Sequence, residues 1–341
     1  MGAPHRRESR NAAHRLLRSG AAGAAGAARV PRAAGAAGAA GAAGAAGAAG
    51  AATIILALLL AGCAAVPAGP GRAPASHTPT SAHTPAPAHT PAPAITPLPT
   101  GAKVDYQLGG GYTPPTGVTI LTRDSTDKPA PGLYNICYVN GFQTQGPDRE
   151  FWLGTHPHLV LRHHSGTDAG KPISDPGWPD ELILDTSTAA KRSAIAAALT
   201  PTLQTCAEKG FDAVEFDNLD SYTRSHRELR ERDNIAEAVL LVRVAHGLGL
   251  AAGQKNTSQL GRIGPETIGF DFAVAEECYR YDECASYTKY YGARVIDIEY
   301  TDDLRGTFAS ACAAAQTPPM TILRDRDLST PASSKYVYRA C

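Results

Sequence analysis

Short apolar runs alternate with helix-like segments from residue 104 onward, and this alternation constrains the fold more than any other feature of the chain. Repeated strand–helix alternation predicts parallel strands joined by helical crossovers. Eight such strands predict an α/β fold, a (β/α)8 TIM barrel. The predicted strands cover residues 104–108, 118–121, 133–139, 213–217, 250–255, 272–276, 294–299 and 320–323. The predicted helices cover residues 189–208, 233–247, 282–291 and 303–315.

The predicted barrel is irregular around its first strands. The connections "GGGYTPPTG" and "RDSTDKPAPG" are too short and too rich in Gly and Pro to form helices. Residues 140–188 are a long excursion after the third strand, and they include Trp152, Trp178 and an additional apolar piece, "LILD".

Composition predicts that the folded part of the chain is residues 101–341. Residues 20–52 are almost purely Ala and Gly, and residues 64–100 are rich in Pro, Ala, Thr and His. Neither stretch has enough large apolar side chains to offset the entropy of ordering it. We therefore expect an N-terminal extension with a signal over residues 1–63, a disordered linker over 64–100 and one barrel domain over 101–341.

The apolar run "TIILALLLAGC" predicts export. It is too short to span a bilayer as a helix, and it ends in small residues before a cysteine. Residues 60–63, Leu-Ala-Gly-Cys, resemble a bacterial lipobox, in which Cys63 is lipidated and becomes the mature N-terminus. The alternative is a secretory signal cut near Ala65. The expected location is thus outside the cell, on a lipid anchor or secreted, with residues 64–100 as a solvated tether.

Six cysteines remain when Cys63 is set aside. In an oxidising compartment they predict three disulfides, for which 15 pairings exist. They are Cys137, Cys206, Cys278, Cys284, Cys312 and Cys341. Because no CxxC pair occurs, the sequence does not favour a zinc site.

The net charge of the whole chain is zero, but the part that follows residue 63 is acidic. Residues 1–63 contain seven Arg and one acid, which leaves 25 basic and 31 acidic residues in the rest of the chain. This balance argues against a nucleic-acid partner, whose phosphates need a basic surface. It suits a neutral or cationic ligand better.

Acidic residues end several of the later strands, where barrel enzymes place their active sites. Alternation along each strand puts Glu215 and Asp217 on one face, and Glu276 on the face of Phe272 and Val274. Asp297 and Glu299 likewise share a face, and Lys255 ends the strand that lies between those of Asp217 and Glu276. We expect these carboxylates to meet in one barrel mouth, with Lys255 as their counter-charge. The lysine would keep one neighbouring carboxylate ionised, while another carboxyl group, less well paired, keeps its proton. Glycoside hydrolysis requires one carboxyl group in each of these forms.

Structural roles compete with catalytic ones for several of these acids. Asp220 is predicted as an N-cap of the following helix, and Glu215 as a structural partner of Lys255. Asp217 and Glu276 are predicted to be functional because both are terminal and lie on separate strands. A bound Mg²⁺ or Ca²⁺ is disfavoured because the chain lacks a D-x-D-x-D loop and a phosphate-binding glycine turn. No metal or other cofactor is expected.

Five motifs occur in this order along the chain: "YNICYVNG", "KGFDAVEFDNLDSY", "AHGLGLAAGQKN", "FDFAVAEECYRYDEC" and "VIDIEY". They resemble the motifs of glycoside hydrolase family 114, whose members are endo-α-1,4-polygalactosaminidases with a TIM-barrel fold. The resemblance covers about residues 104–324. The chain departs from the family where the second strand reads "VTILTRD" instead of a "DID"-like signature, and where Ala275 precedes Glu276.

The resemblance implies roles for individual residues. It implies Asp217 as nucleophile and Glu276 as general acid/base, with the reverse assignment left open. It places Asn218, Lys255, Asn256 and Glu299 in the sugar site, and we expect Tyr138 and Asp220 to contribute to substrate binding beside them. It also implies the disulfides Cys137–Cys206, Cys278–Cys284 and Cys312–Cys341.

The sequence therefore predicts an exported, monomeric, retaining-type endo-glycosidase that acts on a cationic galactosamine-containing polysaccharide. An acidic mouth and body would attract such a polymer. Five aromatic residues could stack on sugar rings or belong to the core: Tyr106, Tyr138, Trp152, Trp178 and Tyr300. The alternatives are a non-catalytic carbohydrate-binding lipoprotein and a metal-dependent polysaccharide deacetylase.

Overall fold

The computed structural model describes residues 93–341, and a nine-stranded sheet that curls into a nearly closed barrel dominates them. Strands β1 to β8 are parallel and pair in sequence order, and the short β9 adds antiparallel to β8. The strands are β1 Lys103–Gln107, β2 Val118–Asp124, β3 Tyr134–Asn140, β4 Ala213–Asp217, β5 Ala251–Lys255, β6 Phe272–Glu276, β7 Val295–Tyr300, β8 Met320–Arg324 and β9 Tyr338–Ala340. The predicted (β/α)8 class is thus confirmed.

A buried arginine bridges the gap between the last parallel strand and the first. Arg324 on β8 is fully buried and donates hydrogen bonds to Asp105 Oδ1 (3.0 Å) and to the carbonyl of Tyr106, both on β1. Its remaining donors reach the carbonyls of Val337 and Ser329. The guanidinium group is planar and carries five N–H donors, so this one side chain can bond several backbone carbonyls at the place where β8 and β1 meet.

Within residues 93–341, five α-helices accompany the strands. They are α1 Arg149–Thr155, α2 Ala189–Lys209, α3 Glu231–Gly247, α4 Cys284–Tyr291 and α5 Phe308–Ala313. Residues 108–117 and 125–133 form extended turns in place of the first two crossover helices, as their Gly and Pro content predicts. The 140–188 excursion holds α1 and a small set of antiparallel bridges, among them Val160 with Leu184 and Ser174 with Leu182.

Side-chain alternation divides the core into two layers. Large apolar residues of the inner faces, including Ile120, Phe272, Ile296 and Ile322, fill the barrel. The outer faces of the strands pack against the helices through residues such as Phe216. Gly253 on β5 is required by this packing, because a Cβ at that position would lie 2.5 Å from the ring of Phe272. Residues just before β1 join the inner layer, since Leu98 is buried there although it was expected to lie in the linker.

Three disulfides link parts of this domain. The pairs are Cys137–Cys206, Cys278–Cys284 and Cys312–Cys341, so the pairing implied by the family resemblance is confirmed. The first connects β3 to α2, the second closes the segment between β6 and α4, and the third ties α5 to the C-terminus. Cys63, the predicted lipidation site, and most of the predicted linker lie outside the described residues. Within residues 93–341, no helix is long and apolar enough to cross a membrane.

Candidate active site

Three consecutive strands bring Asp217, Lys255 and Glu276 together at the carboxyl end of the barrel. They are the last residues of β4, β5 and β6. The Lys255 ammonium nitrogen lies 3.4 Å from Asp217 Oδ1 and 3.6 Å from Glu276 Oε2. These oxygens are therefore at most 7.0 Å apart, the sum of 3.4 Å and 3.6 Å. The shared inward face predicted for these residues is confirmed.

The chain turns sharply as it leaves each of these strands. The residues that follow Asp217, Lys255 and Glu276 all have left-handed backbone conformations, with φ of 63° at Asn218, 49° at Asn256 and 64° at Glu277. Asn tolerates this conformation, whereas a Glu there is strained. Strained backbone of this kind is concentrated at functional sites because the surrounding structure must hold it in place.

Lys255 is the cation at the centre of the site. Its side chain is only 3% exposed, and its ammonium group also contacts Glu215 Oε1 at 3.2 Å and the Tyr106 hydroxyl at 3.1 Å. Burial alone would lower the pKa of Lys255, but the carboxylates of Asp217 and Glu276 outweigh it and raise that pKa well above its ordinary value. Lys255 therefore stays charged and holds negative charge on its neighbours.

Asp217 has partners that favour its ionised form. Oδ2 accepts a hydrogen bond from the Tyr138 hydroxyl (2.5 Å), and Oδ1 accepts one from the backbone N–H of Asn218 (2.8 Å). With Lys255, three donors thus surround a carboxylate whose side chain remains 19% exposed. Hydrogen bonds to an ionised carboxylate are short and strong, and they fix its orientation.

Glu276 is more open to solvent, with a side chain that is 31% exposed. Its Oε1 accepts a hydrogen bond from the Tyr300 hydroxyl (2.6 Å), and its Oε2 accepts one from the Asn256 side-chain amide (3.0 Å). The Asn256 carbonyl oxygen in turn accepts the backbone N–H of Glu276 (2.7 Å). Asn256 therefore holds both the main chain and the side chain of Glu276, which agrees with its predicted place in the site.

Glu215 lies below this group and is fully buried. It accepts a hydrogen bond from Tyr106 (2.7 Å) and forms an ion pair with Lys255, so its predicted structural partnership with Lys255 is confirmed. Its Oε2 has no hydrogen-bond partner among residues 93–341. Burial raises the pKa of Glu215 to about 6, although Lys255 opposes the shift.

Asn218 and Asp220 are held by an arginine that the sequence did not single out. Arg224 donates to Asp220 Oδ1 (2.8 Å) and Asn218 Oδ1 (3.0 Å), and its Nε lies 2.6 Å from Asp175. Asp220 does precede the short 3-10 helix Ser221–Arg224, but its side chain makes no capping hydrogen bond. Asp220 thus occupies the predicted N-cap position, but its carboxylate binds Arg224 instead of capping the helix.

Glu181 is a further acid in the site that sequence reasoning missed. It belongs to the 140–188 excursion, and its Oε2 accepts a hydrogen bond from Asn140, the last residue of β3 (3.2 Å). Burial, followed by the nearby charges of Asp217 and Asp175, raises the pKa of Glu181 to about 7. Only the fold brings it beside Asp217, since no motif or strand end marks it in the sequence.

The five aromatic candidates have different environments. Tyr106, Tyr138, Trp152 and Tyr300 are buried, and the three tyrosines act as hydrogen-bond donors to the acids described above. Trp178 is instead 57% exposed. It lies on the same turn as Glu181, and its carbonyl accepts the Glu181 N–H (2.8 Å). Trp178 is therefore the one of these five that is free to stack on a ligand.

The carboxylates of β7 do not reach the barrel mouth. Asp297 and Glu299 share a face as predicted, but Ile296, Ile298 and Tyr300 occupy the inner one. The expectation that Glu299 contributes to the sugar site is therefore wrong, because its side chain points away from the barrel mouth. Its carboxylate accepts backbone N–H groups of Tyr279 (2.9 Å) and Arg280 (3.3 Å), behind the mouth.

One cluster in the described part of the chain has atoms spaced for a metal ion. It consists of Cys278, Cys284 and Asp297. Both sulfurs belong to a disulfide and so cannot serve as thiolate ligands.

The site can perform acid/base and nucleophilic chemistry on a bond held between two carboxyl groups. Asp217 is held ionised by three donors, and Glu276 faces solvent from the neighbouring side of Lys255. The distance between Asp217 Oδ1 and Glu276 Oε2 is at most 7.0 Å, the sum of their distances to Lys255. Retaining glycosidases typically have a separation of about 5–5.5 Å, which lies within this limit. Inverting glycosidases typically have about 6.5–9.5 Å, and only the lowest part of that range does.

Comparison with known proteins gives a family and a fold. The model of glycoside-hydrolase family GH114 matches residues 84–341. The crystal structure of Aspergillus fumigatus Ega3 in complex with galactosamine matches with a TM-score of 0.56 and 21% identity, over 73% of this chain and 98% of that one. The glycoside hydrolase domain of PelA from Pseudomonas aeruginosa matches with a TM-score of 0.48 and 14% identity, over 69% and 97% of the two chains. No protein with a curated function matches the sequence.

Proposed function

This chain belongs to glycoside hydrolase family GH114, and we propose that it hydrolyses an α-1,4-linked, galactosamine-containing polysaccharide with Asp217 and Glu276 as its carboxyl pair. The observation that carries the proposal is the placement of both side chains on either side of the buried Lys255. An enzyme that cleaves sugar polymers needs two such groups in different protonation states, and here their surroundings differ.

Asp217 is the nucleophile. Its three donors stabilise the ionised form, and the Lys255 charge remains close to the carboxylate throughout. Glu276 is the general acid/base, because it is the more exposed of the two and can exchange a proton with substrate and water. The limit on their separation favours the retaining route.

In the first step, the Glu276 carboxyl group donates its proton to the glycosidic oxygen while an Asp217 oxygen attacks the anomeric carbon. The bond to the leaving sugar breaks, and a glycosyl ester forms on Asp217. In the second step, Glu276 removes a proton from water, and the resulting oxygen attacks the same carbon and releases Asp217. Each step exchanges one bond and one proton, so Glu276 ends the cycle protonated again.

The charge of the site supports an amino-sugar substrate. Glu181 and Asp175 add negative charge beside Asp217, and only one oxygen of Glu181 is hydrogen-bonded within the described residues. A protonated sugar amine fits this surrounding better than a neutral or anionic sugar does. The bound galactosamine named for Ega3 is consistent with the same substrate class.

Export to the outside of the cell, with a lipid anchor at Cys63, is the second part of the proposal. Three disulfides favour an oxidising compartment, and the apolar run before Cys63 has the form of a lipoprotein signal. Replacing Cys63 with Ser should release the protein from the membrane fraction and abolish incorporation of labelled fatty acid. Unchanged labelling would contradict the anchor.

The substrate is tested with the full chain and α-1,4-linked galactosamine oligomers in the presence of EDTA. Cleavage should yield shorter oligomers with the mass of one added water per bond broken. A deacetylase would instead remove acetyl groups without shortening the chain, and a binding protein would leave the oligomers intact. If no amino-sugar polymer is cleaved, the proposed substrate class is wrong.

A further inference from the structure

The chain that follows Glu276 is held by the outer face of β7. The backbone N–H of Cys278 donates to Asp297 Oδ1 (3.0 Å), and the next two N–H groups, of Tyr279 and Arg280, donate to Glu299 Oε1. Three consecutive amides thus converge on two buried carboxyl groups. Successive backbone N–H groups of this kind form a concave anion site, which is occupied here by side chains of the protein itself.

This segment begins with strained backbone. Glu277 follows Glu276 directly and has a φ of 64°, which a Glu adopts only when its surroundings impose it. Its N–H donates to the carbonyl of Ile298 on β7 (2.8 Å), and its carboxylate accepts two bonds from Arg326 (2.7 and 3.1 Å). Without its anchors, we expect the turn to relax and to rotate the end of β6.

The two β7 carboxyl groups lie close enough for their charges to interact, and Asp297 also accepts a bond from the Thr321 hydroxyl (3.2 Å). Burial, and then the Glu299 charge, raises the pKa of Asp297 well above its ordinary value, while burial raises the pKa of Glu299 to about 7. The Glu299 carboxyl group accepts the two amides through Oε1.

We propose that Glu299, supported by Asp297, is a positioning residue that aims the Glu276 carboxyl group at the scissile glycosidic oxygen. This inference rests on the proposed function, since it assigns Glu299 an effect on general acid catalysis. The connection between the two is short. Tyr300, next to Glu299 on β7, donates to Glu276 Oε1 from the inner face, while Glu299 anchors the main chain three residues beyond Glu276 from the outer face.

The test compares the kinetics of variants of the full-length protein on two substrates. One is a galactosamine oligomer, whose leaving sugar needs a proton. The other carries a dinitrophenyl leaving group, which departs without one. E299M removes the acceptor at nearly constant volume, and E299Q keeps an oxygen that can accept both amides. D303N is the matched control, because Asp303 contacts the side chains of Arg280 and Tyr281, whereas the backbone amides bond to Asp297 and Glu299.

E299M should lower kcat/KM on the oligomer by about 10- to 100-fold but kcat/KM on the aryl substrate by less than about threefold. This parameter reports the first step alone, whereas the second step needs Glu276 with either substrate. E299Q and D303N should remain within about threefold of the wild type on both substrates. If E299M does not fold, E299D gives the same comparison, because it keeps the charge but retracts the oxygen from the amides.

Three results would overturn the inference. One is an equal loss of kcat/KM on both substrates, which indicates a purely structural role. Another is wild-type activity of both E299M and E299D on the oligomer. The third is a loss in E299Q as large as that in E299M. If instead the wild type fails to cleave the oligomer, the proposed function itself is wrong, and that result is visible before any variant is made.

Discussion

The hydroxyl group of Tyr138 donates a 2.5 Å hydrogen bond to Oδ2 of Asp217. The two residues lie 79 positions apart in sequence, and the pairing of β3 with β4 brings them together. Tyr138 is almost fully buried, so this hydroxyl is a fixed donor and not a mobile surface group. A buried donor aimed at a carboxylate orients it and stabilises its charge.

Replacing Tyr138 with Phe should lower kcat/KM by about 10- to 100-fold, the usual value of a hydrogen bond to a charged group. The fold should be retained, since the ring still fills its place in the barrel. Steady-state kinetics on galactosamine oligomers measure this effect. Y281F is the control, because its hydroxyl contacts Asp303 outside the site. Equal activity of Y138F and wild type would show that the bond does not support Asp217.

Glu181 should determine the preference for a charged sugar. The pKa of Glu181 is raised to about 7 by burial and by Asp217, so its carboxylate gains its charge as the pH rises through 7. Binding of a protonated amino sugar should strengthen over that interval for the wild type but not for E181Q. Isothermal titration with an amine-bearing oligomer at pH 6 and pH 7.5 measures the difference.

Two controls accompany this measurement. A fully N-acetylated oligomer should bind E181Q and wild type equally, and E150Q, which changes an exposed acid on α1, should behave as wild type. The assignment fails if E181Q keeps both the affinity of the wild type for the free amine and its pH dependence.

Glu237 should destabilise the folded protein at high pH. It is buried on α3, neither of its oxygens has a hydrogen-bond partner among the described residues, and burial raises its pKa to about 8. The folded state therefore holds a proton that the unfolded chain loses above about pH 4.3. Its contribution to stability is full below that pH and is lost as the pH rises through 8.

E237Q should consequently raise the free energy of unfolding at pH 8 by on the order of 2 kcal/mol, and much less at pH 4. Urea unfolding at both pH values measures this. E208Q, at an exposed position of α2, should change neither. An E237Q protein no more stable than the wild type at pH 8 would show that Glu237 finds a partner in solution.

The strand positions were predictable because each is a short apolar run bounded by turn residues. Alternation also assigned Asp217, Lys255 and Glu276 to the inner face, since each ends a strand and has the same parity as that strand's inward residues. The same rule states which residues share a face but not which face is inside. On β7 the bulky Ile296 and Ile298 fill the barrel, so the acids between them point outward. The size of those side chains was the available signal.

Other parts of the site have no local signal. Glu181 lies in a long connection and its partner Asn140 is distant in sequence, and Arg224 likewise reaches the distant Asp175, so only the folded structure shows these contacts. β9 has three residues and lacks a recognisable apolar pattern, and α1 has seven, which is short for detection by periodicity. Arg324, which bridges β8 and β1, is a single charged residue at the end of an apolar strand. Its role cannot be predicted locally, because its partner Asp105 lies on the first strand of the barrel, 219 residues earlier.

The most direct test of the account is the rate of oligosaccharide cleavage by D217N and E276Q. Each should lose at least about 1,000-fold in kcat on galactosamine oligomers while it still binds them, because both changes remove a reacting carboxyl group and keep its shape. D127N, which alters a half-buried acid between β2 and β3, should cleave as the wild type does. Wild-type cleavage by either D217N or E276Q would contradict the assignment of this pair as the catalytic carboxyl groups.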